Sequence, residues 1–355
     1  MPVERDDYAL VVGINDYPKY GKEGRPLRGA ISDAQSFRDW LVDKKIGGGL
    51  PDDNCKLIVS SMLTVDPPQP RKTRVDDVLG ELWDAVRARV AGGNPPRRFY
   101  LYFSGHGQAQ LNEDVALCLP NWAKDRQQAA LSFRQYLSFV VNCIAFREVV
   151  VIMDCCRARR IGAKGLDPEL SCAKPHEDAG KTETFVVHAT EFQALSFEAG
   201  ADGEDGEEPL VRGHLTEALL AGLRGGASRP EGGVPAWRLH AYLKKVVPRI
   251  ALRYGHEQGP KVEPFGIAPG DPAEPIFGTA PPVASTDVRI SFKAGRTGVI
   301  RLEGPELQVI READQSTGPW DETLPLGTYL LTHLPTGETQ GVHLVPAEGV
   351  VDVQF

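Results

Sequence analysis

Residues 99–110 read "FYLYFSGHGQAQ". Five apolar or aromatic residues run directly into Ser-Gly-His-Gly, and the chain then turns polar. No polar residue alternates within 99–103, so this run suits a strand covered on both faces. Gly105 and Gly107 permit a sharp turn and a close approach of another group. His106 then stands beyond the carboxyl end of a buried strand, where open α/β sheets bind their ligands.

The same kind of run recurs at "YALVVGIN" (8–15), "NCKLIVSSML" (54–63), "REVVVIMDCCRARR" (147–160) and "TETFVVHATE" (182–191). Between them lie stretches with apolar residues at helical spacing: "LRGAISDAQSFRDWLV" (27–42), "RVDDVLGELWDAVRARV" (74–90) and "SFRQYLSFVVNCI" (132–144). "RGHLTEALLAGL" (212–223) and "AWRLHAYLKKVVPRIALRYG" (236–255) continue the series. Strands alternating with helices predict an α/β fold with a mostly parallel sheet and helices on both faces. The pattern ends near residue 268. Residues 269–284 are rich in Pro and Ala and read as a linker. From 285 to 355, "DVRISFKAG", "TGVIRLEG", "ELQVIRE", "GTYLLTHL" and "GVVDVQF" are short strands separated by turn residues. They predict a small all-β sandwich domain. The expected domains are therefore 1–268, the linker 269–284, and 285–355.

At 355 residues the chain is long enough for two or more domains with a sizeable core. Its net charge of −8, without a basic block, argues against nucleic acid as a partner. No apolar run reaches membrane-spanning length, and the charged start "MPVERDDYAL" is no signal peptide. The six cysteines are scattered, and four lie in or beside apolar runs. This spacing predicts reduced thiols and a cytoplasmic location rather than a disulfide framework. No Cys/His spacing suggests a metal site.

His106 needs a partner. The strand 147–154 ends Asp154-Cys155-Cys156, and Cys156 lies fifty positions after His106. In a parallel sheet the two strands end at the same edge. A histidine beside a thiol serves as general base and then general acid in acyl transfer. Cys155 and Cys156 are adjacent and face opposite ways on a strand, so one is catalytic and the other packed.

"YFSGHG" followed by this Asp-x-Cys strand resembles the caspase-like cysteine peptidases, with their characteristic spacing. The bacterial orthocaspase and metacaspase branch is the most similar. "YALVVGINDY", "LRGAISDAQSF", "VVHATEFQALSFE", "GHLTEALLAGL" and "HEQGPKVEPFG" resemble further family segments in the same order, so the likeness spans residues 6–268. The branch usually has Asp-Ser-Cys-His-Ser-Gly where this chain has Asp154-Cys155-Cys156-Arg157-Ala158. The resemblance thus implies Cys156 as nucleophile, His106 as acid/base, and the backbone N–H groups of Gly107 and Cys156 as oxyanion donors. It implies hydrolysis of protein or peptide substrates after Arg or Lys, with Asp33, Ser104 and Asp154 in the pocket. Two alternatives stay open: a caspase-fold scaffold that does not cut, and an Asp-directed peptidase using Arg28 and Arg157.

Two further segments suggest regulation. The connection 157–184 carries Arg157, Arg159, Arg160, Lys164, Lys174 and Lys181, which an Arg/Lys-directed zymogen could cut in itself. The run "EAGADGEDGEEP" (198–209) is acidic and could attract basic substrates or a divalent cation. No cofactor is expected. Many metacaspases bind calcium, but Asn112, Glu113, Asp114 and Asp125 have no recognisable ligand spacing. The C-terminal β-domain is expected to take a regulatory partner, if it takes any.

Overall fold

A computed structural model describes residues 6–20, 26–60, 66–109, 114–123, 125–158, 164–200, 211–229, 232–266, 275–278, 285–293, 297–304, 309–325, 327–344 and 349–355. The chain divides into two compact units. One comprises Met1–Leu220 with Val247–Glu274, the other Ala221–Val246 with Pro275–Phe355.

Through the first part of the chain run β1 (Tyr8–Gly13), α1 (Ala30–Val42), β2 (Cys55–Val59), α2 (Lys72–Ala91) and β3 (Arg98–Ser104). Then come β4 (Gly107–Ala109), β5 (Val115–Cys118), β6 (Ala130–Ser132), α3 (Phe133–Cys143) and β7 (Glu148–Asp154). They are followed by β8 (Glu183–His188), β9 (Glu198–Gly200), β10 (Val211–Gly213), α4 (His214–Ala221), α5 (Ala236–Arg253) and β11 (Lys261–Glu263). The central sheet has the order β11-β8-β7-β3-β1-β2. Its strands pair in parallel except β11, which runs antiparallel to β8.

The uninterrupted apolar runs are strands because both faces are covered. Every residue of β1 and β3 is buried. Tyr8, Leu10 and Val12 join Phe99, Leu101 and Phe103 on one face, against Val75, Val78, Leu79 and Leu82 of α2 and Tyr136, Phe139 and Val140 of α3. The alternate residues point the other way. There Phe37 of α1 stacks on Tyr102, with centroids 4.7 Å apart, and meets Tyr100 edge-on. Ser132 caps α3 by accepting from the Gln135 N–H at 3.3 Å.

Cys143, at the end of α3, and Cys172 form a disulfide with Cα atoms 5.6 Å apart. This corrects the expectation of six reduced thiols. The connection after β7 returns to α3, where His176 N–H donates to the Asn142 carbonyl at 2.9 Å. That return places two cysteines side by side that stand 29 residues apart in sequence. Cys55, Cys118, Cys155 and Cys156 are not disulfide-bonded.

The remaining strands are β12 (Ser285–Ser291), β13 (Val299–Glu303), β14 (Val309–Asp314), β15 (Trp320–Pro325), β16 (Gly327–His333), β17 (Glu338–Leu344) and β18 (Val351–Gln354). They form two sheets, β15-β12-β18 and β14-β13-β16-β17. Val288, Ile290 and Trp320 from one sheet and Ile300, Leu302 and Leu331 from the other share a single core. This is a small sandwich. Within the Pro- and Ala-rich stretch before it, Phe277 is buried and its N–H donates to the Val234 carbonyl at 2.8 Å. Among the described residues no helix is long and apolar enough to cross a membrane.

Candidate active site

The register of the central sheet builds the site. Gly13, Ser104 and Asp154 end β1, β3 and β7 side by side. The ends are tied together: Ile14 N–H donates to the Ser104 carbonyl at 3.0 Å and Gly105 N–H to the Asp154 carbonyl at 3.2 Å. Beyond this edge lies a cleft of about 80 Å³. Asp33, Ser104, His106, Asp154, Cys155 and Cys156 all line it.

His106 is held by two aromatic rings that the sequence does not single out. Its imidazole lies 4.6 Å from the Tyr17 ring and stacks on Tyr20 at 4.6 Å, with 29° between the planes. Trp122 backs Tyr20 at 4.4 Å. The His106 backbone N–H donates to Tyr17 Oη at 2.8 Å, and Tyr17 Oη donates to the Cys118 carbonyl at 3.3 Å. Burial pushes the Tyr17 phenol well above its ordinary range, so it stays neutral and keeps its donor. Gly105 gives this ring room, since a Cβ there would lie 2.5 Å from Tyr17 Oη.

The two cysteines differ. Cys155 is packed, at 3% exposure. A Cβ on Gly107 would lie 2.6 Å from Cys155 Sγ and 2.5 Å from the Cys156 carbonyl oxygen. Gly107 is therefore needed for the approach of the cysteine backbone itself. Cys156 is half-buried. Its sulfur accepts from the Ser196 N–H at 3.3 Å, and its thiol donates to the Ser196 carbonyl at 3.4 Å. Burial raises the Cys156 thiol above its usual pKa, against the lowering pull of the Ser196 N–H. The geometry is that of a neutral thiol held by residue 196. Gln258 fixes that segment: its carbonyl oxygen accepts from the Phe197 N–H and its amide donates to the Ala189 carbonyl, both at 3.0 Å.

The acidic groups converge from three elements. Asp154 is buried, and its Oδ2 accepts from Thr216 N–H at 2.9 Å and Thr216 Oγ1 at 2.7 Å. Its Oδ1 accepts from Ser196 Oγ at 3.2 Å. This carboxylate is thus already held by α4 and by residue 196. Asp33, 1% exposed, accepts from the Gly213 N–H at 2.8 Å through Oδ2. Its Oδ1 is sealed from solvent with no hydrogen-bond partner among the described residues. Glu198 adds a third carboxylate to the cleft. It accepts from the N–H groups of Arg28 and Gly29 at 2.8 Å each, at the start of α1. Burial, and then the charge of Asp154, raise Asp33 well above the usual carboxylate range. Burial raises Asp154 as well, despite its three donors.

Tyr17, Tyr20, Ser196, Glu198, Gly213, Thr216 and Gln258 escaped the sequence reading as site residues. Glu198 opens an acidic run in which no member stands out. Thr216 and Gln258 lie in segments that carry the family likeness, and that was their only signal. Arg28 and Arg157 do not line the cleft. Arg157 is buried, donates to the Thr190 carbonyl at 3.4 Å and lies over the Phe192 ring. Asp114 accepts from Ser132 Oγ at 2.8 Å and Arg134 N–H at 3.0 Å. Arg159, Arg160, Asn112, Glu113 and residues 201–209 of the acidic run lie outside the described residues.

The family model described as "Caspase domain" matches residues 6–264. A curated protein of a Desulfuromonadales bacterium, named as a "Probable protease", is 27% identical over 230 residues, covering 62% of this chain and 26% of that protein. The chain thus spans about a quarter of that relative's length. Among solved structures, caspase-1 from Spodoptera frugiperda aligns with a TM-score of 0.42 and 13% identity, over 74% of this chain and 92% of that one.

Proposed function

The chain belongs to the caspase-domain family of cysteine peptidases, and from that premise we propose that it is an endopeptidase cutting protein substrates after Arg or Lys. Cys156 is the nucleophile and His106 the acid/base. The Cys156 thiol passes its proton to His106 as sulfur attacks the scissile carbonyl carbon. The oxyanion that forms is met by the N–H groups of Gly107 and Cys156. As the C–N bond breaks, His106 returns the proton to the leaving amine and a thioester remains. Water, deprotonated by His106, then releases the acid and restores the thiol.

The observation that carries the specificity is the set of carboxylates. Asp33, Asp154 and Glu198 line a cleft whose lining holds no Lys or Arg among the described residues. Two neighbouring buried acids with raised pKa values gain from an incoming cation, which lets both ionise. Asp33 Oδ1 offers an acceptor with no other partner among the described residues. An Asp side chain entering the same cleft meets carboxyl groups and no Lys or Arg in the lining, so the Asp-directed alternative is disfavoured. The hold of Ser196 on the Cys156 thiol supports a resting form in which the 194–198 segment must shift before substrate enters. This fits activation by a signal or by self-cutting.

Turnover of fluorogenic peptides with P1 Arg, Lys and Asp, each with and without calcium, tests the reading. Cleavage confined to P1 Arg and Lys supports it. Preference for P1 Asp overturns the specificity. Absence of cleavage under every condition favours a non-cutting scaffold.

A further inference from the structure

A second cavity, of about 300 Å³, lies where α3 packs over β8 and shares no residue with the active-site cleft. Phe133, Arg134, Arg157, Thr184, His188 and Glu263 are among its walls. The floor is buried: Arg157 is 1% exposed and His188 3%. The rim is open at Arg134 and Glu263, both exposed. His188 meets the Phe133 ring edge-on, with centroids 5.6 Å apart. Its Nδ1 is sealed from bulk solvent and has no hydrogen-bond partner among the described residues.

Such an orphan is uncommon, because a buried polar atom that gives up water without gaining a partner destabilises the fold. The charge around it is one-sided. Lys261 is the register partner of His188 across β11 and β8. Burial first, and then the like-signed Arg157, Lys261 and Arg134, hold the His188 pKa down at about 3. The ring is therefore neutral and offers one N–H. Against these three cations stands Glu263, which takes Lys261 Nζ at 3.2 Å. Arg134 enters no ion pair among the described residues.

We propose that this cavity is a binding site for a small ligand carrying a carboxylate or phosphate group. An apolar occupant leaves the His188 nitrogen unpaired, and a cation meets like charge. An oxyanion accepts from the imidazole and from guanidinium together, the geometry for which arginine is suited. The volume matches the small end of ligand pockets. The proposal does not depend on the peptidase reading, and its test does not use turnover.

Calorimetric titration of the full chain with inorganic phosphate, and separately with citrate, at ionic strength matched by chloride, reads the site directly. Saturable one-site binding of either anion is expected, and phosphate and citrate arms distinguish the two oxyanion sources. Arg134→Ala removes an exposed rim residue, and His188→Phe keeps the ring shape without its nitrogens. Each is expected to weaken binding by at least about tenfold, roughly 1.4 kcal/mol. If His188→Phe does not fold, Arg134→Ala decides. Absence of saturable binding by both anions, or binding that Arg134→Ala leaves unchanged, overturns the proposal.

Discussion

Ser104 and Asp154 are register partners, the last residues of adjacent parallel strands β3 and β7. His106 and Cys156 each follow two residues later. The convergence of the proposed dyad is thus a property of the sheet rather than of a loop. The cysteine backbone also leans on Gly107, which has no side chain to obstruct it.

The two adjacent thiols differ in exposure, Cys155 being buried and Cys156 half-buried. Cys156→Ala and His106→Ala are expected to abolish peptide turnover while far-UV dichroism stays unchanged. Cys155→Ala removes a buried sulfur from beside Gly107 and is expected to cost about 1 kcal/mol of stability with activity retained. An inactive Cys155→Ala beside an active Cys156→Ala reverses the assignment.

Tyr17→Phe keeps the ring beside His106 but deletes the hydroxyl that accepts its N–H and donates to the Cys118 carbonyl. Two buried backbone groups lose a partner, a loss of about 1–3 kcal/mol in stability. Since the ring contact survives, kcat is expected to fall by roughly tenfold rather than vanish. Unchanged stability and kcat would show that this hydroxyl does not position the imidazole.

Asp33→Asn separates stability from activity. The folded protein holds the Asp33 proton to higher pH than the unfolded chain, because its pKa is raised. Above the ordinary carboxylate pKa the unfolded state therefore binds fewer protons, and stability falls as pH rises toward the raised value. An amide at this position does not titrate and contributes no such slope. The variant is expected to gain in melting temperature relative to wild type as pH rises above the ordinary carboxylate range, while kcat/KM for P1 Arg drops by more than about tenfold. Parallel stability curves for the two proteins contradict the raised pKa. Asp154→Asn is expected to cost more stability, since it disturbs bonds to Thr216 and Ser196.

How far the sequence reveals this molecule depends on where burial repeats. β1, β3, β7 and β8 are legible because both faces are covered and nothing polar interrupts them. β15 reads "WDETLP" and β17 "ETQGVHL"; only scattered positions in each are buried, so neither stands out as an apolar strand. β4, β5 and β6 are three or four residues long, too short to show a period. His106, Cys156, Asp33 and Asp154 stand at strand or helix ends and carry a family pattern. Tyr17 and Ser196 lie within family-like segments and Tyr20 does not, but none of the three stands out there, because their roles arise from tertiary contacts across as many as 101 residues.

Gly213 marks the tightest point beside the acids. A Cβ there would lie 2.2 Å from Asp154 Oδ2. Gly213→Ala must push the carboxylate or β10 aside, and Gly213 N–H is the donor to Asp33. The expected result is a loss of about 1–3 kcal/mol in stability with a rise in KM for P1 Arg. Wild-type KM in this variant would indicate that the acids do not form the P1 pocket.

The central claim is that Cys156, served by His106, attacks the carbonyl of a basic P1 residue. Its most direct test is intact-mass and peptide-map analysis after incubation with acyloxymethyl ketone peptides bearing P1 Arg or P1 Asp. The expected result is one adduct, on Cys156, formed with P1 Arg, lost in His106→Ala and strongly reduced in Asp33→Asn. An adduct on Cys155, equal labelling by P1 Asp, or no adduct with either peptide contradicts it.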